Sequence, residues 1–178
     1  MLKNKIKICL MGAILFTACS SADLPQFSNF SKTKVPAKIN EAIATRVNPE
    51  TELYALGGAT LSKSGAIVAQ AKANKYATNS LRKDVEKEVT YLYKTYLNDM
   101  DTYSKSIVSP VISDLKKYSV NLSLKKIEQK GAWQDADKIY SLLVLDRSEV
   151  QNISQKVIKN FIDNAARKLE NISSTVIK

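Results

Sequence analysis

Histidine is absent from this chain, and cysteine occurs only as Cys9 and Cys19. The first absence removes the side chain most used for proton transfer near neutral pH and the commonest metal ligand, so no Ser-His or Cys-His nucleophile pair can form. The second leaves both thiols near the N-terminus, where they can neither staple a folded body nor join a metal cluster. Five glycines and four prolines in 178 residues are too few for a low-complexity chain. Around the glycine pair Gly57-Gly58 there is no G-x-G-x-x-G or phosphate-loop lysine pattern, so the pair reads as a turn and not as a phosphate cradle. No cofactor, metal or small-molecule substrate is expected from these residues, and an enzyme is disfavoured. What remains, 44% hydrophobic and 25% charged, is the composition of one modest folded domain with room for an export signal and a tether.

The formal charge is +10, from 27 basic and 17 acidic side chains. Three of the basic ones, Lys3, Lys5 and Lys7, stand in the first 18 residues, which leaves 24 against 17 beyond them. Such a surplus suits anionic lipid, a polyanionic wall polymer or nucleic acid. The lysines are nevertheless dispersed among acids, as in Lys83-Asp84-Val85-Glu86-Lys87-Glu88, and a solvated surface is the simpler reading. Residues 1–18 have the three-part form of a secretory signal: a basic start, an apolar stretch from Ile8 to Phe16, then small residues. The stretch is too short to span a bilayer by itself. Leu15-Phe16-Thr17-Ala18-Cys19-Ser20 resembles the lipobox of bacterial lipoproteins, with Phe16 in place of the usual leucine and Leu15 beside it. The resemblance implies cleavage between Ala18 and Cys19 and acylation of Cys19, whose thiolate is a strong nucleophile. An ordinary cleaved signal with a chance cysteine is the alternative. Ser20 after the cysteine resembles the outer-membrane sorting default of enteric-type lipoproteins.

Residues 19–50 read as a flexible tether, rich in Ser, Asn, Lys and Pro, with Pro25, Pro36 and Pro49 interrupting regular structure. A linker of about 30 residues spans about 30 Å, enough to lift a domain clear of lipid headgroups. A helical turn or two over Lys38 to Ala44 would be able to dock on the body.

Residues 51–178 read as one α+β domain: a small antiparallel sheet of about three strands, packed by a long helix kinked near Pro110 and by a C-terminal helix. The first strand is Leu53-Tyr-Ala-Leu56, closed by the glycine pair. From Ser64 an alanine-rich start leads into an apolar line through Leu81, Val85, Val89, Leu92, Tyr96, Met100, Tyr103 and Ile107, with partners 11 apart that suit a nearly straight helix to about Ser109. Pro110 should break it before Val111 to Tyr118 resumes. Such a helix, about 45 residues and about 68 Å, exceeds what a small sheet can cover. Tyr91, Tyr93, Tyr96 and Tyr103 cluster on its second half and form a candidate self-association surface, against the alternative that the bent helix buries its stripe within the monomer. Val120-Asn-Leu-Ser-Leu124 alternates like a half-buried strand, continuing through Lys125 to Trp133 with a bulge near Gly131, and Trp133 is expected over the sheet edge. A turn over Gln134 to Lys138 leads to the strand Ile139-Tyr-Ser-Leu-Leu-Val-Leu145. Ser148-Glu-Val-Gln151 matches a capping box, and Val150, Ile153, Val157, Phe161, Ala165, Leu169 and Ile172 mark one face of the last helix.

Several of these pieces resemble the bacterial LPP-twenty lipoprotein family, which includes a Helicobacter surface lipoprotein and the flagellar assembly lipoproteins. They are the lipobox ending at Cys19, Leu53-Tyr-Ala-Leu-Gly-Gly-Ala59, Ala69-Gln-Ala-Lys-Ala-Asn74, and Gly131-Ala-Trp-Gln-Asp135 followed by Ile139-Tyr-Ser-Leu-Leu-Val-Leu-Asp146. The resemblance covers most of the chain beyond Cys19, although the run between the alanine-rich segment and the second strand is longer here. It implies membrane anchoring, a dodecin-like sheet-on-helix body and, in flagellated bacteria, rings around the motor. The expected function is an outer-membrane-anchored lipoprotein with a structural or interaction role. Its expected partners are membrane lipid through acylated Cys19, and either copies of itself or another envelope protein. The alternatives are a flagellar assembly lipoprotein, a periplasmic hydrolase using Asp99 with Asp101 or Asp135 with Asp137, and a polyanion binder using Lys116-Lys117 and Lys125-Lys126. Two carboxylates two apart on a helix diverge, and in a turn they are exposed for ordinary reasons. Without an aromatic-basic platform, nucleic acid is not an expected partner.

Overall fold

The structure, a computed structural model, describes residues 35–61 and 65–176. They belong to one compact unit, Lys34–Lys178. The elements in chain order are α1 (Ala37–Ala44), β1 (Glu52–Thr60), α2 (Gly65–Asp99), α3 (Thr102–Val108), α4 (Ile112–Ser123), β2 (Glu128–Asp135), β3 (Lys138–Asp146) and α5 (Arg147–Val176). The three strands form an antiparallel sheet in the order β1-β3-β2, so the α+β architecture with a long helix and a C-terminal helix is what the chain adopts.

β3 is central and its residues 139 to 145 are all buried, because both faces of the sheet are covered. Strand alternation divides those faces. Leu53, Ala55, Gly57 and Ala59 pair with Leu145, Leu143, Ser141 and Ile139 on the face that meets α2. Tyr54, Leu56 and Gly58 pair with Val144, Leu142 and Tyr140 on the other. β1 does not end at the glycine pair, as the sequence suggested, but runs through it. The reason is packing. A Cβ on Gly57 would enter the Ala73 carbonyl and lie 2.6 Å from the Ala77 amide nitrogen, so glycine lets the strand backbone press directly on α2.

The buried residues of α2 form a line spaced four apart, Ala69, Ala73, Ala77, Leu81, Val85, Val89 and Tyr93, with Leu92 buried beside its end. A helix repeats every 3.6 residues, so a line stepping by four turns about 40° at each step and about 240° from Ala69 to Tyr93. One end of the line faces the sheet, and the other has rotated toward the helices beyond it. There α4 returns along α2, with Arg82 reaching Asn121 at 3.2 Å and the Tyr93 hydroxyl 2.8 Å from Ser119 Oγ. α5 runs in the same direction as α2, with Arg147 2.6 Å from Glu88 and the Tyr96 hydroxyl 3.5 Å from the Gln151 carbonyl.

Four expectations are corrected. The long helix breaks at Met100-Asp101, before the proline. Asp101 has extended backbone (φ −63°, ψ 162°) and its carboxylate accepts from the Ser104 amide, so it starts a new helix. Pro110 lies in a 3-10 turn, Ser109–Val111, where its missing N–H costs nothing. Val120 to Leu124 is not a strand: it ends α4 and enters a 3-10 turn, and β2 begins at Glu128. Five alternating residues fit either period, and Ser119, Val120 and Ser123 share a buried helical face. The inner line of α5 is Val150, Ser154 and Ile158, with Phe161 and Ile162 partly buried, whereas Leu169 is 46% exposed. The helix is capped by Asp146, whose carboxylate accepts from the Ser148 amide and hydroxyl.

The packed body also begins upstream of residue 51. Ile39 and Ile43 of α1 and Val47 after it are buried. The Arg46 guanidinium lies 5.2 Å from the Trp133 ring centroid and donates to the Lys130 carbonyl at 3.0 Å. Lys130 in turn pairs with Glu52. Lys130 is the bulged residue of β2, and Trp133 folds back over Gly131, where a Cβ would meet the indole.

Candidate functional site

Ala18 and Cys19, the expected cleavage and acylation residues, lie outside the described residues. The four tyrosines singled out on the long helix do not form one surface. Tyr93 is 1% exposed, and its hydroxyl donates to the Leu115 carbonyl at 3.3 Å while the Ser119 hydroxyl is placed to donate to it. Tyr96 is half-buried with its ring 6.1 Å from that of Tyr93. Burial pushes both phenols up in pKa; for Tyr93 the Ser119 hydrogen bond opposes the rise and Tyr96 adds to it. These two belong to the packing of α2 against α4 and α5. Tyr91 and Tyr103 are each 63% exposed. Tyr91 stands on the outer side of α2 with Lys83, Lys87, Lys94 and Glu86 around an open depression, and Tyr103 is in α3.

The carboxylate pairs are placed in ordinary structural positions. Asp99 ends α2, and Asp101 caps α3. The Ser104 hydroxyl and amide both donate to Asp101, which lowers its pKa. Asp135 and Asp137 flank Ala136 in the β2–β3 turn, where Ala136 has φ +50°. Their charges add to burial in raising the Tyr140 pKa. Glu52 is buried enough to raise its pKa, but Lys130, the Asn48 amide and the Lys130 charge together outweigh this and hold it below the usual carboxylate range. Among the lysine pairs, Lys117 lies 3.8 Å from Asp114, and Lys125 and Lys126 form an exposed 3-10 turn.

Among the described residues no group of three or more Cys, Asp or Glu side chains is arranged to hold a metal ion. No described helix is long and apolar enough to cross a membrane. The arrangement is one of packing and presented surface: a basic, tyrosine-bearing outer side of α2, and a clasp of Arg46, Trp133, Lys130 and Glu52 joining α1 to the sheet. Sequence reasoning passed over the exposed side chains at the start of α2, where Ile67 is 86% exposed and Tyr76 55%. The available signal was Ile67 itself, standing two residues from the alanines of the buried line. No family model matches the chain, and no curated protein matches it.

Proposed function

We propose that this chain is a bacterial lipoprotein, cut before Cys19, acylated there and held at the outer membrane, with a folded body that serves a structural or protein-interaction role in the envelope. The observation that carries the reading is the segment 1–20: a basic start, an apolar stretch, and Ala18-Cys19-Ser20 behind it. Several acyl chains on one cysteine give a lasting anchor, where a single chain gives a reversible one. The body adds support, since its buried residues serve packing and the carboxylates described above serve caps, turns and ion pairs. The resemblance to the LPP-twenty family points the same way.

The test is the intact mass of the native protein extracted from membranes. A mass corresponding to residues 19–178 with acyl chains is expected, together with palmitate incorporation that disappears in Cys19→Ala. A polypeptide beginning upstream of Cys19, or one with an unmodified thiol there, would sink the reading.

A further inference from the structure

We infer that the first three turns of α2 form a docking surface for anionic lipid, which lays the folded body against the membrane that holds it. The inference deepens the lipoprotein reading and rests on it for proximity to the bilayer. The outward line of α2 is spaced four apart like the buried one: Ile67, Ala71, Lys75, Asn79, Lys83, Lys87, Tyr91 and Thr95 are all exposed. Its beginning differs in chemistry from its end. From residue 53 to residue 83 there is no acidic side chain, while Lys63, Lys72, Lys75, Arg82 and Lys83 are basic. Farther along, Lys87 is paired with Asp84 at 3.0 Å, and Glu86 stands beside it. Among the described residues no carboxylate lies within ion-pair distance of Lys72 or Lys75.

The face is made of Ile67, Val68, Ala71, Lys72 and Lys75, all exposed, on the side of the helix away from the sheet, while Tyr76 stands half a turn round from Ile67 and borders the buried line. An isoleucine 86% exposed on the same side as two unpaired lysines is the pattern of an interfacial helix: apolar tips enter the headgroup boundary and cations reach phosphate. Charge selects the occupant. A second copy docking through the same face would set Lys72 and Lys75 against their own like charges, with no acid within the patch to answer them. A free polyanion would answer the lysines but leave Ile67 and Val68 in water.

Lys34–Lys178 is one compact unit with its own core, so it can be tested without the signal or Cys19. Co-sedimentation with vesicles of equimolar phosphatidylglycerol and phosphatidylcholine at low salt is expected to show binding, and pure phosphatidylcholine vesicles much less. Lys72→Glu with Lys75→Glu is expected to weaken binding by about 25-fold or more, since each surface lysine contributes about fivefold. Ile67→Asp should weaken it roughly tenfold, because the apolar tip no longer leaves water. Lys116→Glu with Lys117→Glu makes the same charge change elsewhere and should shift it by about twofold at most, being outside the contact. All of these positions are exposed except Lys116, which is half-buried, and circular dichroism checks that each variant stays folded. Equal binding to neutral vesicles, an Ile67→Asp variant that binds normally, or an equal loss in the Lys116/Lys117 variant would overturn the inference. A dimer in solution that Ile67→Asp dissolves would assign the face to a second copy and also overturn it. Palmitate labelling of the full chain reads the anchor separately, so either result can fail while the other stands.

Discussion

The two halves of α2 bury residues at the same spacing but solve different packing problems. Near the sheet the buried residues are Ala69, Ala73 and Ala77, and β1 answers with Gly57, so backbone lies on backbone. Beyond Leu81 they are Val85, Val89, Leu92 and Tyr93, and the partners are helices that meet side chain to side chain. The first half has almost no tolerance for added volume, and the second has shape and a few polar contacts to lose. A single period of four thus serves two neighbours, because the line rotates from one to the other as it climbs.

The contrast is broken most severely at Gly57. Gly57→Ala forces a methyl group into the Ala73 carbonyl, which is backbone and cannot swing aside, and should cost about 3 kcal/mol or more. Chemical denaturation would show it, and a loss under about 1 kcal/mol would mean that the strand and helix can separate cheaply. A smaller effect is expected in the helical half. Tyr93→Phe removes the hydroxyl that serves Ser119 inside the core and should cost about 1–2 kcal/mol, with the Ser119 hydroxyl left unpaired. An unchanged midpoint would show that Ser119 finds another acceptor. The smallest change has the opposite sign. Ser154 is fully buried and its Oγ has no hydrogen-bond partner among the described residues, so Ser154→Ala should stabilise by about 1 kcal/mol. Destabilisation would indicate that this oxygen is satisfied in solution.

What the sequence revealed follows the same division. Ile139 to Leu145 was readable as a strand because seven mostly apolar residues between turn signals are too few for a helix and are buried on both faces. Leu81 to Leu92 was readable because large apolar residues mark a helical face. The alanines upstream were read as helix propensity, yet they also mark close approach to the sheet, a role visible only once Gly57 lies opposite. Asp101 was weighed as half of a carboxylate pair, although its effect on the fold is to cap α3, which depends on Ser104 three residues on. Ser154 broke the expected face of α5, since a polar residue gives no sign in the chain that it will be enclosed. The tyrosines looked like one cluster because proximity along a helix does not tell inside from outside when the buried line rotates. Tyr93 and Tyr91, only two residues apart, fall on opposite sides.

The clasp between α1 and the sheet has a mechanical meaning. Were the chain pulled from ahead of Ala37, the load would reach α1 first, where Ile39 and Ile43 are buried. Behind them Arg46 grips Trp133 and the Lys130 carbonyl, while Lys130 ties to Glu52 at the start of β1. Such a load would therefore be shared by both outer strands instead of unzipping either from its end, after passing through eight residues of helix and one bulge.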